Sequence, residues 1–185
     1  MRIVGGKFKG HSIAPPHGSA TRPTTDRVRE SIFNILAHGI EGLELDGARV
    51  LDLFAGTGAM GLEAISRGSR FCQFVDDSAE ARGLIRKNAD ALGVIGLAKI
   101  WRRDAADLGP CAPLPGFDLV FADPPYGKGL GEKALRALVS GQWLNPNAIV
   151  VLEESAKADI PAVGGLTLID ERGYGDTTVR FYRRG

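Results

Sequence analysis

The chain has 185 residues, of which 44% are hydrophobic and 24% charged, and its formal net charge is +1. This length and composition predict one main hydrophobic core and exclude wholesale disorder and two full-size domains. No apolar run approaches the roughly 20 residues that cross a bilayer, and no apolar stretch near the N-terminus suits a signal peptide. We therefore expect a cytoplasmic protein with no membrane partner, and we also expect a monomer. The two cysteines predict neither disulfides nor a metal site.

The first forty residues predict a small extension ahead of the main fold. Apolar residues punctuated by glycines indicate a short β-hairpin over residues 1–14. After Thr24 and Thr25, either of which can cap a helix, an apolar stripe of helical spacing extends to Gly39. The stripe consists of Val28, Ile32, Ile35 and Leu36. We assign residues 1–40 to this extension and residues 41–185 to the main domain.

Strand-like and helix-like segments alternate through the rest of the chain. The predicted strands are Ala48–Phe54, Phe71–Asp76, Ala98–Arg102, Phe117–Ala122 and Ala148–Glu154, and the predicted helices are Ala59–Arg67, Ala79–Leu92 and Gly131–Ser140. Nearly continuous apolar strands are typical of parallel sheets covered on both faces. Two last strands, Leu166–Asp170 and Thr177–Arg183, leave no room for a helix between them. The pattern predicts a doubly wound, mostly parallel, seven-stranded Rossmann-like α/β sheet with a C-terminal antiparallel hairpin.

A glycine-rich loop follows the first predicted strand. The residues Ala55, Gly56, Thr57 and Gly58 begin a G-x-G-x-x-G pattern between a strand and a helix, which indicates a nucleotide-type ligand. The glycines alone fit either a dinucleotide or S-adenosylmethionine. Asp52 lies at the strand end, where its charge would repel a pyrophosphate but suits a cationic ammonium and sulfonium. We therefore predict that Asp52 and these four loop residues bind S-adenosylmethionine.

Acidic residues also follow the next two strands. Asp76 lies 18 residues after Gly58, close to the ~20 expected for a carboxylate that binds ribose hydroxyls. Asp77 is assigned to the same cofactor surface and is expected to cap the following helix. Asp104 and Ala105 follow the third strand, where Asp104 is placed to reach the adenine edge of the cofactor.

The fourth strand leads into the sequence Asp123-Pro124-Pro125-Tyr126. The Asp123 carboxylate and the Pro124 carbonyl can accept hydrogen bonds from an exocyclic amino group and thereby orient its lone pair. The prolines fix the backbone, and Tyr126 offers a face on which a flipped base can stack. We predict that Asp123, Pro124, Pro125 and Tyr126 form the catalytic motif for methylation of a planar amino nitrogen.

Together, these motifs resemble motifs I, II and IV of class I S-adenosylmethionine-dependent amino-methyltransferases. The segments 2–10 and 21–34 extend the resemblance, nearly end to end, to the bacterial RsmD family of 16S rRNA guanine-N2 methyltransferases. That resemblance implies a methyl acceptor at N2 of one guanine in small-subunit rRNA, within an assembling or assembled 30S particle, and S-adenosylhomocysteine as product. Asp76 departs from the family pattern, in which we expect many members to carry Glu.

Basic residues are concentrated at both ends of the chain. Residues 1–30 have a net charge of +4 and residues 171–185 one of +2, against −5 for the residues between them. Such basic ends can form a local surface for a polyanion. We predict that the N-terminal extension contacts the RNA backbone through Lys7, Lys9, Arg22, Arg27 and Arg29, although any one of them can equally be an ordinary surface residue.

Other functions compete with this interpretation. Adenine-N6 methyltransferases acting on DNA or RNA share the Asp-Pro-Pro-Tyr motif, but the 59 residues after Tyr126 complete the sheet and leave no target-recognition domain. Asp52 disfavours an NAD-dependent oxidoreductase, because its charge would repel the pyrophosphate. The complete Asp123–Tyr126 motif disfavours a noncatalytic RNA-binding module.

Overall fold

A computed structural model describes residues 1–17 and 24–185 of the chain. The strands, in chain order, are β1 (Arg49–Leu53), β2 (Phe71–Val75), β3 (Ala98–Trp101), β4 (Phe117–Ala122), β5 (Leu144–Ser155), β6 (Leu166–Tyr174) and β7 (Thr177–Arg184). The helices are α1 (Asp26–His38), α2 (Ala59–Ser66), α3 (Ala79–Ala91) and α4 (Leu130–Ser140), with a 3-10 turn at Ile95–Leu97.

The strands form one seven-stranded sheet in the order β3-β2-β1-β4-β5-β7-β6. Strands β1 to β5 are parallel, whereas β7 runs antiparallel to both β5 and β6. The predicted fold class and the C-terminal hairpin are thus confirmed. The strand order reverses between β1 and β4, and the carboxyl ends of strands at such a switch point are where open α/β sheets bind ligands.

Two hydrophobic clusters cover the two faces of the sheet. One contains Phe33 of α1, Phe74 of β2 and Phe121 of β4, and the other contains Leu135 of α4 and Trp143. Residues of the N-terminal extension, including Ile3, Ile13 and Ile32, belong to the first cluster, so the extension shares a core with the sheet. None of the helices in the described ranges is long and apolar enough to span a membrane.

Helix α1 follows from its local sequence. The Thr25 hydroxyl accepts a hydrogen bond from the Val28 N–H at 3.2 Å and caps the first turn. The N–H of Gly39 donates to the Ile35 carbonyl at 2.7 Å and closes the last turn. Both predicted ends of the helix are confirmed.

The N-terminal segment folds back on itself as the predicted short hairpin, although its arms form a single bridge and no regular strands. The antiparallel bridge joins Arg2 and Ser12, and backbone hydrogen bonds join residues 1–3 to residues 10–13. In the turn between these arms, the N–H groups of Lys7 and Phe8 donate to the carbonyl and hydroxyl oxygens of Ser66 at the end of α2, at 2.7 and 2.9 Å. These bonds hold the turn against that helix.

Two predicted strands are longer in the structure. Strand β5 begins at Leu144, four residues before the predicted start, because Leu144 already pairs with Phe117. A register irregularity and a positive φ of 64° at Asn147 separate this pair from the regular pairing that begins at Ile149. Strand β6 continues to Tyr174, and the turn to β7 consists of Gly175 and Asp176. The other predicted strand and helix ends from residue 48 onward lie within one residue of those observed.

Candidate active site

Three carboxylate side chains lie on the same face of the sheet, at the ends of three neighbouring strands. Side chains alternate between the faces of a strand, so Asp52 of β1 lies on the same face as Val50, which belongs to the cluster containing α1. The same alternation places Asp123, directly after β4, and Glu153, near the end of β5, on this face. Since β1, β4 and β5 are consecutive in the sheet, the three side chains converge at its carboxyl edge.

Asp52 and Asp123 line a single cavity of about 80 Å³, the glycine-loop cavity. Its other lining residues are Met1, Pro16, Thr24, Phe54, Ala55, Gly56, Thr57, Ala59 and Met60. The predicted cofactor carboxylate and the predicted catalytic carboxylate therefore face the same space.

Asp52 is almost fully enclosed, with 3% of the residue exposed. Its Oδ2 accepts a hydrogen bond at 3.0 Å from the N–H of Gly61, in the first turn of α2. Burial raises the pKa of Asp52 to about 8, the Gly61 hydrogen bond opposes that rise, and the charge of Asp76 adds to it. Because a cation in the cavity would favour the ionised form, this carboxylate suits a cationic ligand.

The glycine loop has the backbone shape that its sequence predicts. Gly56 and Gly58 have positive φ angles of 58° and 81°, and Gly58 precedes the first residue of α2. The N–H of Gly56 donates to Asp76 Oδ2 at 3.0 Å, so the second strand holds the loop after the first. A side chain at position 61 would collide with Phe74. Because Gly61 has no side chain, α2 packs closely against the sheet at this position.

The remaining predicted cofactor residues lie outside the lining of the glycine-loop cavity. Asp76 is half-buried, and its Oδ1 accepts from the N–H of Ser78 at 3.0 Å. Ser78, not Asp77, caps α3 by accepting from the Ala81 N–H, so the predicted capping role of Asp77 is wrong. The exposed Asp77 lies one residue before the capping position.

Asp104 and Ala105 follow β3, the edge strand two positions away from β1. Asp104 is exposed and accepts a hydrogen bond from the Ala106 N–H at 2.9 Å, whereas Ala105 is buried. Their assignment to the cofactor remains a prediction.

The catalytic motif borders a second cavity of about 90 Å³, here called the tyrosine cavity. It is lined by Thr24, Thr25, Val28, Tyr126, Glu153, Tyr174, Asp176 and Thr177. The Tyr126 hydroxyl is hydrogen-bonded to Thr177 Oγ1, and 39% of this tyrosine is exposed. Pro124 is buried and Pro125 is exposed. The aromatic side chain of the motif is therefore accessible and held at its hydroxyl end.

Thr24 joins the two cavities. It is buried and lines both of them. Its Oγ1 donates to Glu153 Oε2 at 2.7 Å and lies 3.4 Å from Asp123 Oδ2. Thr24 and Glu153 are site residues that the sequence motifs do not predict. The acidic pair Glu153-Glu154 at the end of an apolar strand was the available signal for the second.

The pKa values of Asp123 and Glu153 are both raised. Burial is the largest cause for each carboxyl group, and the charges of Glu153 and Asp52 raise the pKa of Asp123 further. Hydrogen bonding to Thr24 opposes the rise at both groups. Two neighbouring carboxylates resist simultaneous ionisation, so this pair retains a proton more readily than isolated carboxyl groups do.

Four of the five predicted RNA-binding residues lie within the described ranges. Lys7, Lys9 and Arg27 are exposed, and Arg22 lies outside the described residues. Arg29 is fully buried and forms an ion pair with Glu63, so the prediction that it contacts RNA is corrected. The physical reason is that the buried face of α1 includes Arg29, where a carboxylate from α2 compensates its charge.

Among residues 1–17 and 24–185, no group of three or more His, Cys, Asp or Glu side chains could hold a metal ion.

The sheet order, the glycine loop after β1 and the shared cavity at the switch point define a protein of the α/β methyltransferase fold class. The chain belongs to the family described as Conserved hypothetical protein 95, whose model matches residues 1–183, and the predicted membership of the RsmD family is confirmed.

Similar proteins cover the whole chain. YlbH of Bacillus subtilis, named as a candidate rRNA methyltransferase, is 39% identical over 100% of this chain and 99% of its own. Ribosomal RNA small subunit methyltransferase D of Escherichia coli is 36% identical over 100% and 90%. The solved structure of the Escherichia coli protein YhhF is 31% identical with a TM-score of 0.83, covering 100% of this chain and 97% of that one.

Proposed function

We propose that this protein transfers a methyl group from S-adenosylmethionine to the exocyclic N2 amino group of one guanine in small-subunit 16S rRNA. The observation that carries the proposal is that Asp52 and Asp123 line one cavity at the carboxyl edge of the sheet. The names of the Bacillus subtilis and Escherichia coli relatives support rRNA as the substrate.

The residues around the glycine loop fit the cofactor. S-adenosylmethionine supplies an electrophilic methyl group on a sulfonium when bound. Asp52 would face the cationic methionine end of the cofactor. Burial disfavours the ionised form of this carboxyl group, and a neighbouring positive charge would stabilise that form. Asp76 would hold the ribose, because its carboxylate already shapes the loop through Gly56 and retains further acceptor capacity.

Asp123 and Pro124 would receive the amino group of the base. The carboxylate and the carbonyl oxygen accept hydrogen bonds from the two amino protons, which directs the nitrogen lone pair toward the glycine-loop cavity. The exposed ring of Tyr126 would stack on the base. The raised pKa of Asp123 makes this carboxylate a better proton acceptor than an ordinary aspartate when the alkylated nitrogen loses its proton.

The RNA backbone would contact the exposed cations of the N-terminal extension. Lys7 and Lys9 lie in the segment that runs along α2, and Arg27 lies on the exposed side of α1. We further propose that the enzyme acts as a cytoplasmic monomer on an assembling or assembled 30S particle.

The experiment that tests the proposal uses small-subunit particles from cells lacking the corresponding enzyme. The protein is incubated with these particles or with naked 16S rRNA and with labelled S-adenosylmethionine, and the modified nucleoside is identified by mass spectrometry. We expect N2-methylguanosine at one position. N6-methyladenosine as the product would favour the adenine enzyme instead.

Variants then separate catalysis from folding. Asp123→Ala should lower the methylation rate at least about a hundredfold while sparing cofactor binding, because it removes an acceptor that acts on the amino group. Asp159→Ala, at an exposed position, is the matched control and should retain full activity. Full activity of Asp123→Ala would contradict the assigned mechanism.

A further inference from the structure

We propose that Glu153 is a specificity-determining residue, which selects guanine by accepting a hydrogen bond from its N1–H while Asp123 and Pro124 accept from its N2 amino group. This inference rests on the proposed function and adds the reason why the acceptor is guanine.

Glu153 lies beside the catalytic motif in the sheet. The parallel pairing of β4 with β5 places Ala122 opposite Leu152, so the next residues of the two strands, Asp123 and Glu153, lie side by side. Both side chains approach the same hydroxyl oxygen of Thr24. A base whose amino group is bound by Asp123 would therefore present its neighbouring ring atom to Glu153.

Glu153 also lines the cavity in which a base can stack. The tyrosine cavity is lined by both Glu153 and Tyr126, and it shares Thr24 with the glycine-loop cavity. A ring stacked on Tyr126 would have one edge directed at the acidic pair. This arrangement combines an aromatic face with hydrogen-bonding groups for the Watson–Crick edge, as enzymes acting on flipped bases require.

The Thr24 hydroxyl orients the Glu153 carboxylate. Its hydrogen bond to Oε2, at 2.7 Å, occupies one of roughly four acceptor positions on the carboxylate, which leaves acceptor capacity for a ligand. Because Thr24 is buried, the carboxylate is held at the junction of the two cavities. A preoriented acceptor loses less conformational entropy when it binds the base.

The chemistry of the two purines then decides between them. Guanine offers two adjacent donors on this edge, the N1–H and the N2 amino group, and they match two adjacent carboxylates. Binding these donors favours the ionised form of both carboxyl groups. Adenine offers an acceptor at N1 beside its amino group, and Glu153 could meet that lone pair only by retaining a proton. A site built for donors rejects an analogue that lacks one, because a buried polar group is left unpaired.

The test uses a base that keeps the methyl-accepting N2 amino group and lacks the donor at N1. In 2,6-diaminopurine the N2 amino group is retained, N1 is an acceptor, and an amino group replaces O6. Because the change at position 6 is the same for every enzyme variant, the comparison between variants isolates the contact at N1. Small-subunit particles are reconstituted with 16S rRNA in which the guanine mapped above is replaced by 2,6-diaminopurine through ligation. Values of kcat/KM are then compared for both particles with the wild type, Glu153→Gln and Glu154→Gln.

The wild type should prefer guanine by about ten- to a hundredfold, as expected for a hydrogen bond to a charged group. An amide can present either its oxygen or its NH2 group, so Glu153→Gln should reduce this preference to less than about threefold. Glu154→Gln is the matched control: this neighbour is buried, accepts from the Ser155 N–H, lines neither cavity, and should preserve the preference.

A proportional loss of activity toward both bases in Glu153→Gln would assign the residue a structural role and overturn the inference. An unchanged guanine preference would overturn it as well. Failure of the proposed function is distinguishable, because the wild type would then produce no N2-methylguanosine in unmodified particles.

Discussion

Arg29 of α1 and Glu63 of α2 form an ion pair in which neither side chain is exposed, with Arg29 Nε 3.2 Å from Glu63 Oε1. The same carboxylate accepts hydrogen bonds from the N–H groups of Val4 and Gly5, both at 2.9 Å, and from Arg67 Nε at 2.9 Å. One side chain therefore joins the N-terminal segment and α1 to the helix that follows the glycine loop. The predicted RNA-binding extension is thus fixed to the helix that begins at the predicted cofactor loop.

Replacing Glu63 with Gln should destabilise the protein strongly. The variant removes the buried partner of the Arg29 guanidinium and leaves the partly exposed Asp26, 2.8 Å from Arg29 Nη2, as its remaining carboxylate. Breaking a buried pair costs up to about 3–5 kcal/mol in the free energy of unfolding. Urea denaturation measures this loss. The matched control is Glu132→Gln, whose ion pair with Arg136 is exposed and should contribute less than about 1 kcal/mol. Equal effects of the two variants would contradict the structural role assigned to Glu63.

Asp52→Asn should stabilise the protein in the absence of cofactor, and increasingly so toward alkaline pH. The pKa of Asp52 is about 8 in the folded state and near 3.8 without the fold. Between these values the folded state binds one more proton than the unfolded state, so the free energy of unfolding falls as pH rises. An asparagine keeps an oxygen acceptor for the Gly61 N–H and removes this pH dependence.

Thermal unfolding of the wild type and Asp52→Asn at about pH 5 and about pH 8.5 measures the effect, since these values bracket most of the titration. The variant's advantage should grow with pH by an amount on the order of a few kcal/mol. If the two proteins lost stability in parallel, Asp52 would be ionised in the folded state throughout this range.

The same carboxyl group should make cofactor binding depend on pH. A cationic ligand favours ionised Asp52, so binding below the pKa of about 8 must release a proton. The affinity for S-adenosylmethionine should rise up to tenfold per unit between about pH 5.5 and about pH 7.5. Titration calorimetry in two buffers of different ionisation enthalpy counts the released protons. Binding without proton release would contradict the assignment of Asp52 to the cationic end of the cofactor.

The sequence predicts elements well where local signals suffice. Residues Phe117–Ala122 form a continuous apolar run bounded by Gly116 and Asp123, and the observed strand β4 has the predicted ends. The predicted start of β5 is too late, because Pro146 and Asn147 resemble a turn. In the structure, Phe117 of the neighbouring strand provides a pairing partner for Leu144. Tertiary pairing outweighs local propensity there.

The sequence predicts only those site residues that lie at the ends of strands. Asp52 lies near the end of the apolar strand β1 and Asp123 directly follows the apolar strand β4. These strands are adjacent in the sheet, and the two side chains share a cavity. The Thr24–Glu153 hydrogen bond joins residues 129 positions apart and depends on how the start of α1 packs against β5. The burial of Arg29 depends similarly on Glu63 in another helix. No local pattern encodes either contact.

Tyr126 should contribute through its ring more than through its hydroxyl group. Tyr126→Phe loses the hydrogen bond to Thr177 but keeps the aromatic face, so kcat/KM should fall by less than about fivefold. Tyr126→Ala removes the stacking surface and should lower kcat/KM by about ten- to a hundredfold. Steady-state methylation of 30S particles separates the two variants. An equal loss in both would assign the function of Tyr126 to its hydroxyl.

The exposed lysines of the N-terminal segment should contribute to RNA affinity in a salt-dependent way. Lys7 and Lys9 are exposed, and backbone hydrogen bonds fix their segment to Ser66 of α2. Each phosphate contact releases counterions, so the double variant Lys7→Ala/Lys9→Ala should weaken binding and reduce the slope of log affinity against log salt by about 2. The double variant Lys87→Ala/Lys99→Ala, at exposed positions on α3 and β3, is the control. Filter binding of labelled 16S rRNA over a series of salt concentrations measures both slopes. If the two double variants shared the wild-type slope, the N-terminal lysines would be ordinary surface residues.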